Sequence, residues 1–288
     1  MTPGMPIVAM ISRERILQTA RSLPAAPQAM AGLCELLQDV NADLGQISDQ
    51  ISVDAALAAR VVRISNSVAF GGGGAVGSVD EAVSRVGFGE ILRLVGAATV
   101  ANLVDSHLAG YDIPAARLRE SLFLHAIASE TLARRTNIDP RTAYTAGLLR
   151  AIGMMVIARV ACGEMKAEGA YAAWRHATYH EWEGEHFGLA NTEVAAMVLS
   201  EWRFPPPVVA AIREHLLVRN RGLESPFACL LNVAGAIVAE NGHALPGEES
   251  CWALTPQKLA TLGLDDKQWR EAKDEAFTHF NRLMSALS

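Results

Sequence analysis

Apolar residues return at every third or fourth position along most of this chain, and almost no stretch shows the strict alternation of a half-buried strand. That period marks helices with one face turned to a core. Leu57, Val61 and Ile64 form such a stripe behind Asp54, whose carboxylate can cap the first turn; Met30, Leu33, Leu37 and Val40 form another after Pro24 and Pro27. Ser78 with Glu81 three residues on makes a capping box opening a helix through Val86, and Gly87 is placed to end it. An apolar helix over Ile91 to Val104 follows. Gly110 to Pro114 is turn-prone and is the best place to divide the chain. Beyond it, a helix over Leu122 to Arg135 carries His125, and Asp139-Pro140 supplies a cap and a first-turn proline opening one apolar run over Ala143 to Val160. Further starts lie at Asn191, Pro206-Pro207, Ser225-Pro226, Thr255-Pro256 and Asp265-Asp266, with Gly242 and Gly263 suited to helix ends. A last helix over Lys267 to Leu287 places Trp269, Ala276 and Phe280 in a hydrophobic seam.

The composition narrows the classes. Half of the 288 residues are hydrophobic and 19% charged, as in a soluble globular protein with a sizeable core. A formal charge of -6 argues against nucleic-acid binding, which needs a basic stripe; Arg60 with Arg63, and Arg213, Arg219 and Arg221, read as solvated helix faces. Cys34, Cys162, Cys229 and Cys251 are far apart and form no C-x-x-C pair, as expected of reduced thiols. The apolar run Met5 to Ile11 has no preceding positive charge and no cleavage site, and Arg150 and Arg159 interrupt the later apolar stretch, so no secretory signal or membrane span is expected. The expectation is a cytoplasmic protein.

Candidate chemistry is sparse. Gly71-Gly72-Gly73-Gly74 could cradle phosphate, but no Gly-Lys-Ser/Thr follows and no strand precedes it. His176 and His180 at i, i+4 would share a helix face and could hold zinc, or simply belong to a polar helix surface near Trp174 and Trp182. No G-x-S-x-G offers a nucleophilic serine.

Three stretches read together are more specific: Leu23-Pro24-Ala25-Ala26-Pro27; Asp54 to Gly71 with its Arg63-Ile64-Ser65-Asn66-Ser67 core; and Ser78 to Gly87. This combination resembles the front half of an HDOD domain, and the similarity runs from about Leu23 to about Ala239. The resemblance implies an all-α, HDOD-like fold. Residues 1-22 would be an N-terminal extension, 23-110 an N-terminal helical lobe, and 111-288 a lobe like the HD phosphohydrolase core with further C-terminal helices.

HD hydrolases hold metal with a histidine, an adjacent His-Asp pair and a later aspartate, because imidazole and carboxylate together fix the ion and activate bound water. By resemblance His125 matches the first histidine, Arg150 and Ala151 stand in the His-Asp seats, and Gly235 stands where the last aspartate would be. A guanidinium has no lone pair and a methyl group no donor atom, so the motif is degenerate and neither metal nor cofactor is expected. Asn191 falls at an auxiliary histidine position, and Glu214-His215 replaces a His-His pair. His125 reads as a buried helix residue bonded through its ring nitrogens, and His215 as part of a solvated helix end. Arg150 is expected either to pair with a nearby glutamate, the favoured reading, or to offer an anion pocket together with His125, Asn191 and His215.

The leading expectation is therefore a non-catalytic bacterial signal-transduction or regulatory module acting through a protein partner or a small ligand. The roughly 20 residues before Leu23 are too few for a receiver domain, so its input would come from elsewhere. The seam between the lobes, with Ser65-Asn66-Ser67 and the glycines after Phe70, is a candidate transmission element. The alternative is a metal-dependent phosphohydrolase acting on nucleotides or cyclic dinucleotides, with His125, His215, Glu193 and Glu214 as ligands if the fold assembles them.

Overall fold

The computed structural model describes all residues except 1–10, 24–31, 34–35, 37–42, 67–74, 105–106, 109, 162–169 and 288. The stripe positions Met30, Leu37 and Val40, the Leu23–Pro27 motif beyond Leu23, Ser67, and the glycine run 71–74 lie outside the described residues. Among the described residues the architecture is helical, with a single antiparallel bridge between Leu108 and Ile113 and no named strand.

Before Gly110 the chain forms α2 (Leu44–Ser52), α3 (Ala55–Ser65), α4 (Val79–Val86) and α5 (Phe88–Leu103). Their ends follow the local capping chemistry. Asp54 Oδ1 accepts from Leu57 N at 3.1 Å, and Ser78 Oγ accepts from Glu81 N at 3.2 Å. Gly87 takes φ 83°, a left-handed conformation that a side chain would strain, and so turns α4 into α5. Asn66 acts as a clamp: its Oδ1 accepts from Val76 N at 2.7 Å, while its Nδ2 donates to Val76 O at 2.9 Å and to Val62 O at 3.0 Å. A polar side chain in the expected seam is thus used locally, tying the end of α3 to the segment leading into α4.

The later part of the chain is built around α6 (Ala115–Ala133), whose residues from Ser121 to Ala133 are buried on every side. It packs against α7 (Pro140–Leu149), α12 (Pro226–Glu240) and α14 (Asp266–Leu287). The remaining helices are α8 (Ile152–Ala161), α9 (Tyr179–Phe187), α10 (Asn191–Glu201), α11 (Pro206–Glu214) and α13 (Pro256–Leu262), with a 3-10 segment over Pro246–Trp252. The expected proline and cap starts are in place: Asp139, Ser225 and Thr255 accept from the backbone three residues on. In α14, Trp269, Ala276 and Phe280 are buried, and Arg135 binds Glu275 at 2.7 Å.

Three expectations are corrected. The helix bearing His125 starts at Ala115, not Leu122, because Arg117, Arg119 and Glu120 break the apolar stripe without breaking the helix; Arg117 and Arg119 instead donate to the carbonyls of Ala244 and Val104, each at 2.7 Å. The run Ala143 to Val160 is two helices, interrupted at Arg150-Ala151. On one side Gly147 lies against α6, where a Cβ would fall 2.9 Å from the Ala126 Cα; on the other Gly153 lies against α10, where a Cβ would fall 1.9 Å from the Asn191 carbonyl oxygen. The chain changes packing partner between these contacts. His176 lies in the turn before α9 and shares no helix face with His180.

α1 (Arg13–Arg21) is helical within the expected extension and docks on α8 and α10. Ile16 and Ala20 are buried there, Arg15 donates to Val160 O at 3.2 Å, and Arg21 meets Glu201 at 2.7 Å. One continuous hydrophobic core runs from Ile11 to Leu283. The stretch Pro140–Ala161 is long and apolar enough to cross a membrane, but it is 89% buried inside the protein. Cys229 and Cys251 are free thiols, each pushed up to about 11 by burial; Cys34 and Cys162 lie outside the described residues.

Candidate functional site: a buried ion pair between Arg150 and Glu248

Arg150, at the break between α7 and α8, is 1% exposed, and its guanidinium is met by an equally buried carboxylate. Nη1 donates to both oxygens of Glu248, at 2.9 and 2.8 Å, and Nη2 to Ser121 Oγ at 3.3 Å. Glu248 comes from the 3-10 segment Pro246–Trp252, and the same segment lays Trp252 beside the cation, Arg150 Cζ being 5.2 Å from the ring centroid. Burial raises the Glu248 carboxyl above its ordinary range, and Arg150 opposes that rise. Desolvating two charges is costly, and only a close pair with further hydrogen bonds offsets the cost.

Two histidines complete the cluster. His125, four residues after Ser121 on α6, places Nε2 2.8 Å from Leu231 O, so that nitrogen carries the proton and donates. His215, at the end of α11, donates from Nδ1 to Ile212 O at 2.6 Å. Their rings lie 6.5 Å apart, and Trp252 packs edge-on to His125 and stacked on His215. His215 is therefore buried in the cluster and not at a solvated helix end, because the Trp252 indole stacks over its ring. Burial and then the positive charge of Arg150 hold both imidazoles neutral, His215 being lowered to about 3 and His125 in the same direction.

Gly235 and Asn232 position the aromatic wall. An ideal Cβ on Gly235 would fall 2.2 Å from Trp252 Cε3, so the indole occupies the room a side chain at 235 would need. Asn232, one turn earlier on α12, donates through Nδ2 to His215 O at 2.8 Å and to Cys251 O at 3.1 Å, tying the end of α11 to the residue before Trp252. Ala151 is fully buried and contributes no donor atom.

Asn191 belongs to a neighbouring network. Glu183 is buried on α9 and accepts from Asn191 N at 2.6 Å, from Asn191 Nδ2 at 2.9 and 3.0 Å, and from Tyr111 Oη at 2.7 Å. It anchors the start of α10, and burial raises its carboxyl to about 8 against those three donors. Glu193 bonds back to Ala190 N at 3.3 Å as a capping residue, and Glu214 is exposed, so the alternative ligand set is not assembled.

A divalent cation of the HD type does not fit these residues. Its seats hold a guanidinium, a methyl group and an indole packed on glycine, and the nearby carboxylate is committed to Arg150. Two neutral imidazoles remain, beside a fixed positive charge that repels a second cation. Glu248 and Trp252 were not singled out from the sequence, since nothing local connects them to Arg150. Asn232 could have been noticed as a lone amide inside the apolar run Leu230 to Ile237.

A family model of the HDOD domain matches residues 23–217. A protein of Marinobacter aquaeolei provisionally assigned to signal transduction is 25% identical with TM-score 0.68, over 97% of this chain and 61% of its own. The chain thus spans less than two thirds of that relative. A provisionally assigned phosphohydrolase of Shewanella amazonensis is also 25% identical, with TM-score 0.63, over 95% of this chain and 98% of its own. An HDOD domain protein of unknown function from Geobacter sulfurreducens shares the fold at 18% identity and TM-score 0.64, over 94% of this chain and 97% of its own. No curated protein matches the sequence.

Proposed function

Because this chain belongs to the HDOD domain family, we propose that it is a non-catalytic signal-transduction module that acts by binding a partner protein. The observation that carries the reading is the Arg150–Glu248 pair, 2.8 Å apart and buried, in the seat that HD hydrolases use for metal. The protein supplies the positive charge there itself, so this seat offers no open metal position at which water would be activated. The Marinobacter relative's assignment to signal transduction points the same way. We place the module in the cytoplasm and divide it near residue 110, with the first lobe and the Arg150 lobe as the two parts whose relative packing a partner would read.

The Shewanella relative's assignment favours the second reading, a metal-dependent phosphohydrolase. Metal analysis and phosphodiesterase assays on the purified chain separate the two. The module predicts no turnover of nucleotides or cyclic dinucleotides and no metal dependent on His125; stoichiometric metal lost on His125→Ala, with turnover lost alongside it, would overturn it. Affinity capture with Arg150→Ala as the comparison then tests for a partner that requires the intact pocket.

A further inference from the structure

The turn leading into α9 brings together three groups that the Arg150 pocket does not use. His176, Glu185 and His186 each present a ligand atom, and the three atoms lie within 4.8 Å of one another. His176 Nδ1 stands 3.6 Å from Glu185 Oε2, and the two imidazoles meet edge to face with centroids 5.5 Å apart. We propose that these residues bind a divalent transition metal of the zinc class.

Two features show a prepared site. His186 Nδ1 lies 3.0 Å from Trp182 O, one turn back on α9, and so carries the proton that it donates; Nε2 is left with its lone pair, in the orientation that backbone carbonyls impose on metal-binding histidines. His176 is held although it lies outside the helix. Its N-H donates to Ala172 O at 3.1 Å, its carbonyl accepts from Tyr171 Oη at 3.3 Å, and the next residue's N-H is taken by Glu181 at 3.0 Å. The His176 side chain is only 11% exposed and His186 is partly buried, whereas the Glu185 side chain is 65% exposed. Tetrahedral zinc needs ligand atoms roughly 3.4 Å apart, close to the 3.6 Å that separates His176 Nδ1 from Glu185 Oε2. Two imidazoles and a carboxylate suit zinc, cobalt(II) or nickel(II) better than magnesium or calcium, and three protein ligands leave a fourth position for water. Bound metal would staple the turn to α9.

The test is titration of the tag-free full chain with Zn2+ by calorimetry, and with Co2+ by visible absorption. One ion per chain is expected, with the intense spectrum of tetrahedral cobalt. His176→Ala and His186→Ala should each weaken binding at least about tenfold, Glu185→Gln less, and His180→Ala not at all. All four changes lie on partly buried or exposed positions, and circular dichroism verifies that each variant is folded. Absence of stoichiometric binding, or binding that survives the His176→Ala/His186→Ala double change, would overturn the proposal and leave the cluster as a histidine–glutamate contact. Metal that depends on His125 instead would count against the signalling reading and against this site together, while loss of metal only on changing His176 or His186 leaves the signalling reading intact.

Discussion

The indole of Trp252 lies where a side chain on Gly235 would be, with only 2.2 Å between Trp252 Cε3 and an ideal Cβ at 235. The two positions exclude each other sterically, so an aspartate at 235 and the present wall of the pocket cannot coexist. Gly235→Asp should destabilise the protein by more than about 3 kcal/mol, from overpacking and a buried unpaired charge. Adding Trp252→Ala should cost much less than its effect in the parent chain, a non-additivity that urea denaturation of the two single variants and the double would show. Additive losses would mean that the two residues are not in conflict.

The Arg150–Glu248 pair is more costly to halve than to remove. Arg150→Met or Glu248→Gln alone should each lose about 3–5 kcal/mol, because each strands a buried charge. The double change should fall well short of the sum, since two apolar or neutral groups need no partner. A double-mutant cycle measured by denaturant unfolding reads the coupling directly, and a coupling near zero would contradict the geometry.

Acid should weaken the fold through the two histidines. His215 has its folded value at about 3, whereas the unfolded chain takes up the proton near 6.5. Above 6.5 both states are neutral and stability is complete; as pH falls below 6.5 only the unfolded state gains the proton, and stability declines. For one such histidine the loss at pH 5 is about 2 kcal/mol, and His125 adds to it in the same direction. Melting temperatures at pH 7.5, 6 and 5 would follow this slope, which His215→Phe should reduce.

Glu183 has the opposite sign. Its folded value near 8 lies above the ordinary 4.5, so between these limits the folded state holds more protons than the unfolded one. Its contribution therefore worsens as pH rises through that window and levels off above 8, with a slope of at most about 1.4 kcal/mol per pH unit. The difference in stability between Glu183→Gln and the parent should move in favour of the variant from pH 5 to pH 8. A pH-independent difference would place the three donors around Glu183 ahead of burial.

Much of the helical framework was legible because its signals are local. Asp54, Ser78, Asp139, Ser225 and Thr255 cap helices whose first turns they can reach across three residues, and Gly87 and Gly263 mark reversals by their own conformational freedom. The side-chain chemistry at Arg150, Ala151 and Gly235 was equally legible, since a guanidinium, a methyl group or a hydrogen atom offers no metal-donor atom whatever its surroundings. The beginning of α6 and the break at Arg150-Ala151 were not. Both depend on what packs alongside: carbonyls that accept from Arg117 and Arg119, and a change of partner between Gly147 and Gly153.

By itself, then, the sequence determined where most helices begin and which faces they bury. Only the tertiary structure decided that Glu248 answers Arg150 across 98 positions, that Trp252 fills the space beside Gly235, that His215 is buried, and that His176 meets His186 from outside the helix. A cap or a period is set by bonds a few residues long. The partner of a buried charge is set by which distant segments the hydrophobic core brings together, and no short stretch of chain carries that information.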